Sequence, residues 1–187
     1  MTRSTGSSPM RIIAGSRKGA TIYAPKGLET RPTSDRVREA AFNLIGPVDD
    51  AIVLDLFAGS GAYGLEALSR GAAKAVFVES DREACRTIDR NLEKLRLTGA
   101  TVLCREVQQA LAAEVTVGRR YDLMLVDPPY KMFSSLQKTM VRYLAGVLAP
   151  DGLLVVETSA KEEPELPLAV RTSRRYGSAR LTLFEHV

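Results

Sequence analysis

The stretch Val53-Leu54-Asp55-Leu56-Phe57-Ala58-Gly59-Ser60-Gly61-Ala62-Tyr63-Gly64 decides the fold. Its first five residues are apolar apart from one carboxylate, the pattern of a strand buried on both faces. Gly59, Gly61 and Gly64 then spell G-x-G-x-x-G, and helical periodicity follows. A strand that runs through such glycines into a helix lets backbone come close to a nucleoside-containing cofactor. Glu79 ends the next apolar run, where a carboxylate can accept hydrogen bonds from ribose hydroxyls. Asp55, inside the strand, suits the ammonium of a methionine moiety and would repel a pyrophosphate, which favours S-adenosylmethionine over a dinucleotide.

Outward from this stretch the pattern alternates. Apolar runs predict strands over 51–57, 75–79, 101–104, 122–126 and 152–157, with helices over 61–70, 82–95, 107–114 and 134–148. Such alternation predicts an α/β fold with a parallel sheet covered on both faces. Two further β runs, 168–176 and 180–186, meet at Gly177-Ser178 and must pair antiparallel. Upstream, 11–13 and 21–23 read as a small hairpin around Ser16-Arg17-Lys18-Gly19. Ser34 is then read as the N-cap of an amphipathic helix ending near Gly46-Pro47. The expected organisation is a loose tail over 1–9, a basic hairpin and linker over 10–30, and one catalytic domain over 31–187.

The second signature is Asp127-Pro128-Pro129-Tyr130, directly after an apolar strand. Two prolines make the turn stiff, and ligands of open α/β sheets bind at the carboxyl ends of strands. An exocyclic amine is a poor nucleophile because its lone pair is delocalised into the base. Asp127 and the Pro128 carbonyl can accept its two N–H groups and expose the lone pair, and Tyr130 offers a stacking face. Catalysis by this motif is positioning and charge placement.

Composition agrees with an enzyme acting on a polyanion. The net charge of the 187 residues is +4, and eight basic against two acidic side chains lie within 1–38. A basic head on a near-neutral body predicts a nucleic-acid surface, with Arg11, Arg17, Lys18, Arg31, Arg36 and Arg38 as candidate contacts. The single histidine, His186, argues against a Ser-His-Asp triad or a multi-histidine metal site, and no metal is expected. Cys85 and Cys104 match neither a zinc spacing nor a disulfide framework and read as reduced, buried thiols of a cytoplasmic protein. No charge-free run is long enough to span a membrane.

With these residues quoted, the chain resembles the class I amino-group methyltransferases, and more narrowly the bacterial 16S rRNA guanine-N2 methyltransferases of the RsmD type. The resemblance covers residues 10–187. It is carried by Arg11-Ile12-Ile13-Ala14-Gly15, Arg31-Pro32-Thr33-Ser34-Asp35-Arg36-Val37-Arg38-Glu39, the glycine loop, Val78-Glu79 and Asp127-Pro128-Pro129-Tyr130. It implies a Rossmann-like sheet of seven strands, mostly parallel, with the last strand antiparallel. It implies methyl transfer to N2 of one guanine in the helix 31 loop of 16S rRNA, on the small ribosomal subunit; separately, a monomer is expected. The implied cofactor contacts are Asp55, Phe57, Ala58, Gly59, Gly61, Glu79 and Ser80, with Glu106 and Val107 at the adenine. Three other readings compete. An adenine-N6 DNA methyltransferase usually begins its motif with Asn. A nicotinamide-dependent oxidoreductase needs a proton donor, for which His186 is badly placed. A non-catalytic RNA-binding assembly factor has no need of an intact D-P-P-Y.

Overall fold

The computed structural model describes residues 9–26 and 32–186, with side chains throughout except at 32–34 and 130. Seven strands form one sheet: β1 Ile52–Leu56, β2 Lys74–Glu79, β3 Ala100–Cys104, β4 Tyr121–Val126, β5 Leu148–Ser159, β6 Ala169–Tyr176 and β7 Ala179–Glu185. Their order is β3-β2-β1-β4-β5-β7-β6, with β7 antiparallel to both neighbours. The order reverses between β1 and β4, which opens a crevice at the carboxyl ends of those strands.

Helices cover both faces, so residues of one strand alternate between two cores. Val53, Leu125, Val155 and Leu183 pack with Val37, Ala41 and Phe42 of α1 (Pro32–Ile45), Leu65 and Leu68 of α2 (Ala62–Ser69), and Ile88 and Leu95 of α3 (Arg82–Leu95). Leu54, Val126 and Val156 pack instead with Val107 and Leu111 of α4 (Val107–Thr116) and Phe133, Met140 and Leu144 of α5 (Phe133–Val147). Asp81 caps α3 by accepting from the Ala84 amide at 2.8 Å.

Four sequence expectations change. Helix α1 begins at Pro32, two residues before Ser34; proline suits the first helical position, where its missing N–H is no loss. Strand β5 reaches back to Leu148, which pairs with Tyr121 across a register shift in which residues 149–152 stand against Asp122 alone. The N-terminal hairpin is a single bridge, Arg11 to Thr21, around a 3-10 turn at Gly15–Arg17. It lies on the body, with Ile12 and Ile22 inside the first core. Finally, Cys85 and Cys104 are joined as a disulfide, their Cα atoms 6.0 Å apart, and Cys104 is exposed. Helix α3 starts where β2 ends, beside the end of β3, so nineteen residues of separation close into contact.

Candidate active site

The glycine loop is held by its neighbours. Phe57 leaves β1 with φ 60° and Gly61 follows at φ 80°. A bulky residue in the left-handed region marks a turn that the surroundings enforce. Gly64 permits the close approach of α2 to the sheet. A Cβ there would stand 2.3 Å from Cε1 of Phe77, and the Gly64 amide instead reaches Asp55 Oδ2 at 2.9 Å. Glu79 Oε2 accepts from the Gly59 amide at 2.9 Å and its Oε1 from the Asp81 amide at 2.9 Å. A carboxylate has about four acceptor sites, so Glu79 keeps capacity for ribose hydroxyls while it bridges the loop to α3. Asn91, which sequence reading missed, donates to the Ser60 carbonyl and exchanges hydrogen bonds with the Tyr23 backbone. It ties the loop to the N-terminal segment.

The carboxylates of the crevice share one face. Asp55 follows Val53, Asp127 follows Leu125 and Glu157 follows Val155, each two residues on, so all three point to the layer of α1 and α2. Val126 pairs with Val156, which puts Asp127 and Glu157 abreast, one step beyond. Tyr63 of α2 donates its hydroxyl to Glu157 Oε2 at 2.9 Å. Sequence reading missed both: Glu157 passed as a strand end and Tyr63 as a filler of the glycine motif. Among the described residues no donor reaches the Asp127 carboxyl.

Burial pushes the Asp55 carboxyl up to about 7, against the Gly64 hydrogen bond and helped by the charge of Glu79. Burial, then the charges of Glu157 and Asp55, hold Asp127 well above the usual carboxylate range. Burial also raises Glu157, opposed by the Tyr63 hydrogen bond. Burial and the Glu157 and Asp127 charges keep the Tyr63 phenol protonated well above its ordinary value, so it remains a donor. A crevice lined with acceptors suits a ligand that is cationic and rich in N–H groups.

The other expected cofactor contacts are ordered along the same edge. Ala58 is buried, with its amide on the Val78 carbonyl at 3.1 Å, and Ser80 is exposed beyond Glu79. Glu106 is the exposed N-cap residue of α4, and its side chain makes no cap hydrogen bond. Val107 buries its side chain in the second core, which leaves its main-chain amide at the helix start as what it can offer a ligand. Pro128 is buried and Pro129 exposed. The Tyr130 side chain lies outside the described residues, as does Arg31.

The family model described as "Conserved hypothetical protein 95" matches residues 10–185. YlbH of Bacillus subtilis is 42% identical over 165 residues, 86% of this chain and 88% of that one. The ribosomal RNA small subunit methyltransferase D of Escherichia coli K12 is 39% identical, over 84% of this chain and 78% of its own length. The chain belongs to the RsmD-type methyltransferase family. The solved structure of yhhF from Escherichia coli superposes with a TM-score of 0.84 at 36% identity, covering 96% of this chain and 98% of that one. The fold is that of the class I enzymes.

Over its described residues the basic N-terminal segment is not a free arm, and two of the expected phosphate contacts need revision. Arg38 is 2% exposed, on the inner side of α1. It donates to the Arg11 carbonyl and to Asp35 and lies 3.8 Å from Glu66. It is a buried counter-ion and does not face RNA. Arg17 donates to the carbonyls of Leu95 and Arg96 at the end of α3, so its guanidinium staples the 3-10 turn to a helix C-terminus. Arg11, Lys18 and Arg36 are exposed. Because Ile12 and Ile22 are core residues, deletion of the N-terminal segment would damage the cofactor loop as well. Substitution of Arg11 and Lys18 is the cleaner probe of RNA contact.

The raised carboxyl of Asp55 yields a pH prediction. A folded-state value of about 7 against the ordinary 3.8 means the neutral form is favoured in the free protein. Its stabilising contribution is complete at low pH and is lost as pH rises towards about 7. A cationic ligand reverses this by favouring the ionised form. Cofactor binding should therefore release protons near pH 6, and affinity should be roughly tenfold weaker at pH 6 than at pH 8. Calorimetry in two buffers of different ionisation enthalpy measures the proton. An Asp55→Asn variant with the same pH dependence as the wild type would assign the effect elsewhere.

Proposed function

We propose that the protein transfers the methyl group of S-adenosylmethionine to the exocyclic N2 of a guanine in 16S rRNA of the small ribosomal subunit. The observation that carries this reading is the carboxyl pair at the ends of β4 and β5, set side by side by the Val126–Val156 register. Guanine presents N1–H and N2–H₂ along one edge, a row of donors. Asp127 takes a hydrogen of N2 and Glu157, oriented by Tyr63, takes N1–H. Adenine would set its N1 lone pair against a carboxylate oxygen, which disfavours the adenine-N6 alternative.

S-adenosylmethionine supplies an electrophilic methyl carbon with a sulfur leaving group. Asp127 and the Pro128 carbonyl draw the N2 lone pair out of conjugation and fix its direction. The proton lost from the methylated nitrogen passes to Asp127, whose burial raises its proton affinity. The name of the Escherichia coli relative supports ribosomal RNA of the small subunit as substrate. The likeness of the motifs to the 16S rRNA guanine-N2 methyltransferases supports a guanine of the helix 31 loop as the target. Exposed Arg11, Lys18 and Arg36 supply phosphate contacts.

The test is tritium transfer to three substrates: small subunits from cells lacking the gene, naked 16S rRNA, and duplex DNA. The labelled nucleoside is then identified. N2-methylguanosine from subunits is the expected product, and N6-methyladenine from any of the three would overturn the base assignment. Glu157→Gln should reduce turnover on subunits by about 10- to 100-fold, the range for a hydrogen bond to a charged group. An unchanged rate would remove Glu157 from base recognition.

A further inference from the structure

Strand β6 is the outermost strand on the β7 side of the sheet, so one of its edges carries unpaired backbone groups. Its sequence, Ala-Val-Arg-Thr-Ser-Arg-Arg-Tyr, holds Arg171, Arg174 and Arg175, all exposed. Among the described residues none of the three has an ion-pair partner within salt-bridge distance. Arg175 stands directly across from Arg180. Glu163 lies 2.9 Å from Arg180, and no described carboxylate offsets Arg175. Like charges opposite one another destabilise a strand pair, so this rung is poor design for the free protein and good design for an anion.

The position of the edge relative to the crevice adds a second, independent argument. Glu157 pairs with Leu181, and Leu181 with Arg174. One rung therefore runs from the carboxyl beside Asp127 out to Arg174 on the crevice face of the sheet, and Arg175, across from Arg180, flanks the same edge from the opposite face. At about 4.8 Å per strand the edge lies roughly 14 Å from Asp127. Helix α1, with exposed Arg36, packs over β7 on that face. The cofactor loop occupies the β1–β2–β3 side of the switch point, and the arginine edge lies on the β4–β5 side.

We propose that Arg171, Arg174 and Arg175 form a phosphate rail along β6 that holds the RNA strand carrying the target base as it enters from the β5–β7 side. This inference rests on the reading of the substrate as ribosomal RNA. It assigns the second RNA surface to a segment outside the basic N-terminus. Charge complementarity commits the edge to RNA backbone rather than to an added protein strand, and the register shift between Val170 and Thr172 further discourages strand addition.

The experiment compares the wild type with the triple variant Arg171→Gln, Arg174→Gln, Arg175→Gln and with the triple lysine variant. Each is assayed on small subunits at several salt concentrations. KM for subunits should rise about tenfold or more in the glutamine variant, and the slope of log Kd against log salt should fall by about two to three, one per phosphate contact. The kcat and the affinity for S-adenosylmethionine should stay within about twofold, and the lysine variant should recover most of the loss. An unchanged KM and salt slope would overturn the rail and leave the arginines as guards against edge pairing. A loss shared by cofactor binding would overturn it in favour of a structural role. The nucleoside made by the wild type decides the guanine assignment separately, so the two readings can fail independently.

Discussion

Asp127→Ala is expected to abolish methyl transfer, with turnover down on the order of 10²–10³-fold or more, while S-adenosylmethionine binding stays within a few-fold. Asp127 lies one residue beyond β4, between the cofactor loop and Glu157. Among the described residues it accepts no hydrogen bond, and burial and two neighbouring carboxylates raise its affinity for the proton that the methylated nitrogen releases. Such a group contributes little to the fold and is available to a ligand. Removing it also relieves repulsion on Asp55 and Glu157, so stability should not fall. Asp127→Asn keeps one carbonyl acceptor but cannot take the proton, and should lie between alanine and wild type. Single-turnover assays with equilibrium cofactor binding separate the two steps. Wild-type turnover in the alanine variant would show that the amine is oriented by another group.

Glu66→Ala should produce the largest loss of stability, about 3–5 kcal/mol, as for a broken buried ion pair. Glu66 is 0% exposed and is a four-way junction. Its Oε2 accepts the Ile13 amide at 2.8 Å, and its Oε1 accepts the Ala14 amide at 2.9 Å and Arg70 Nε at 2.7 Å. Arg38 Nε stands 3.8 Å away. Without the carboxylate, a buried guanidinium and two backbone amides lose their partner together, and the hairpin loses its anchor on α2. Glu66→Gln retains one acceptor and should be destabilised less, which keeps the test usable if the alanine variant does not fold. Urea unfolding measures both. A loss under about 1 kcal/mol for alanine would place the anchor in the Ile12 and Ile22 packing instead.

Sequence reading found the crevice because its main parts are local. The glycine turn, Glu79 at the end of β2 and Asp127 after β4 each follow an apolar run whose length and composition identify a strand buried on both faces. The disulfide, the anchored hairpin and the inward direction of Arg38 were not readable in this way. Charge placed Arg38 among the RNA contacts; its helical position, facing Ala41 and Phe42 in the core, was the unused signal.

What the sequence determined by itself is what short-range periodicity and turn chemistry encode: the alternation of strands and helices, the loop at Gly59–Gly64 and the stiff turn at Asp127–Tyr130. What only the tertiary structure decided is which distant side chains meet: Tyr63 with Glu157 across 94 positions, Tyr23 with Asn91 across 68, and Ile13 with Glu66 across 53. The physical reason is that a contact between distant segments leaves no repeating mark in the chain, since it depends on strand order and register, which are settled by the packing of whole faces.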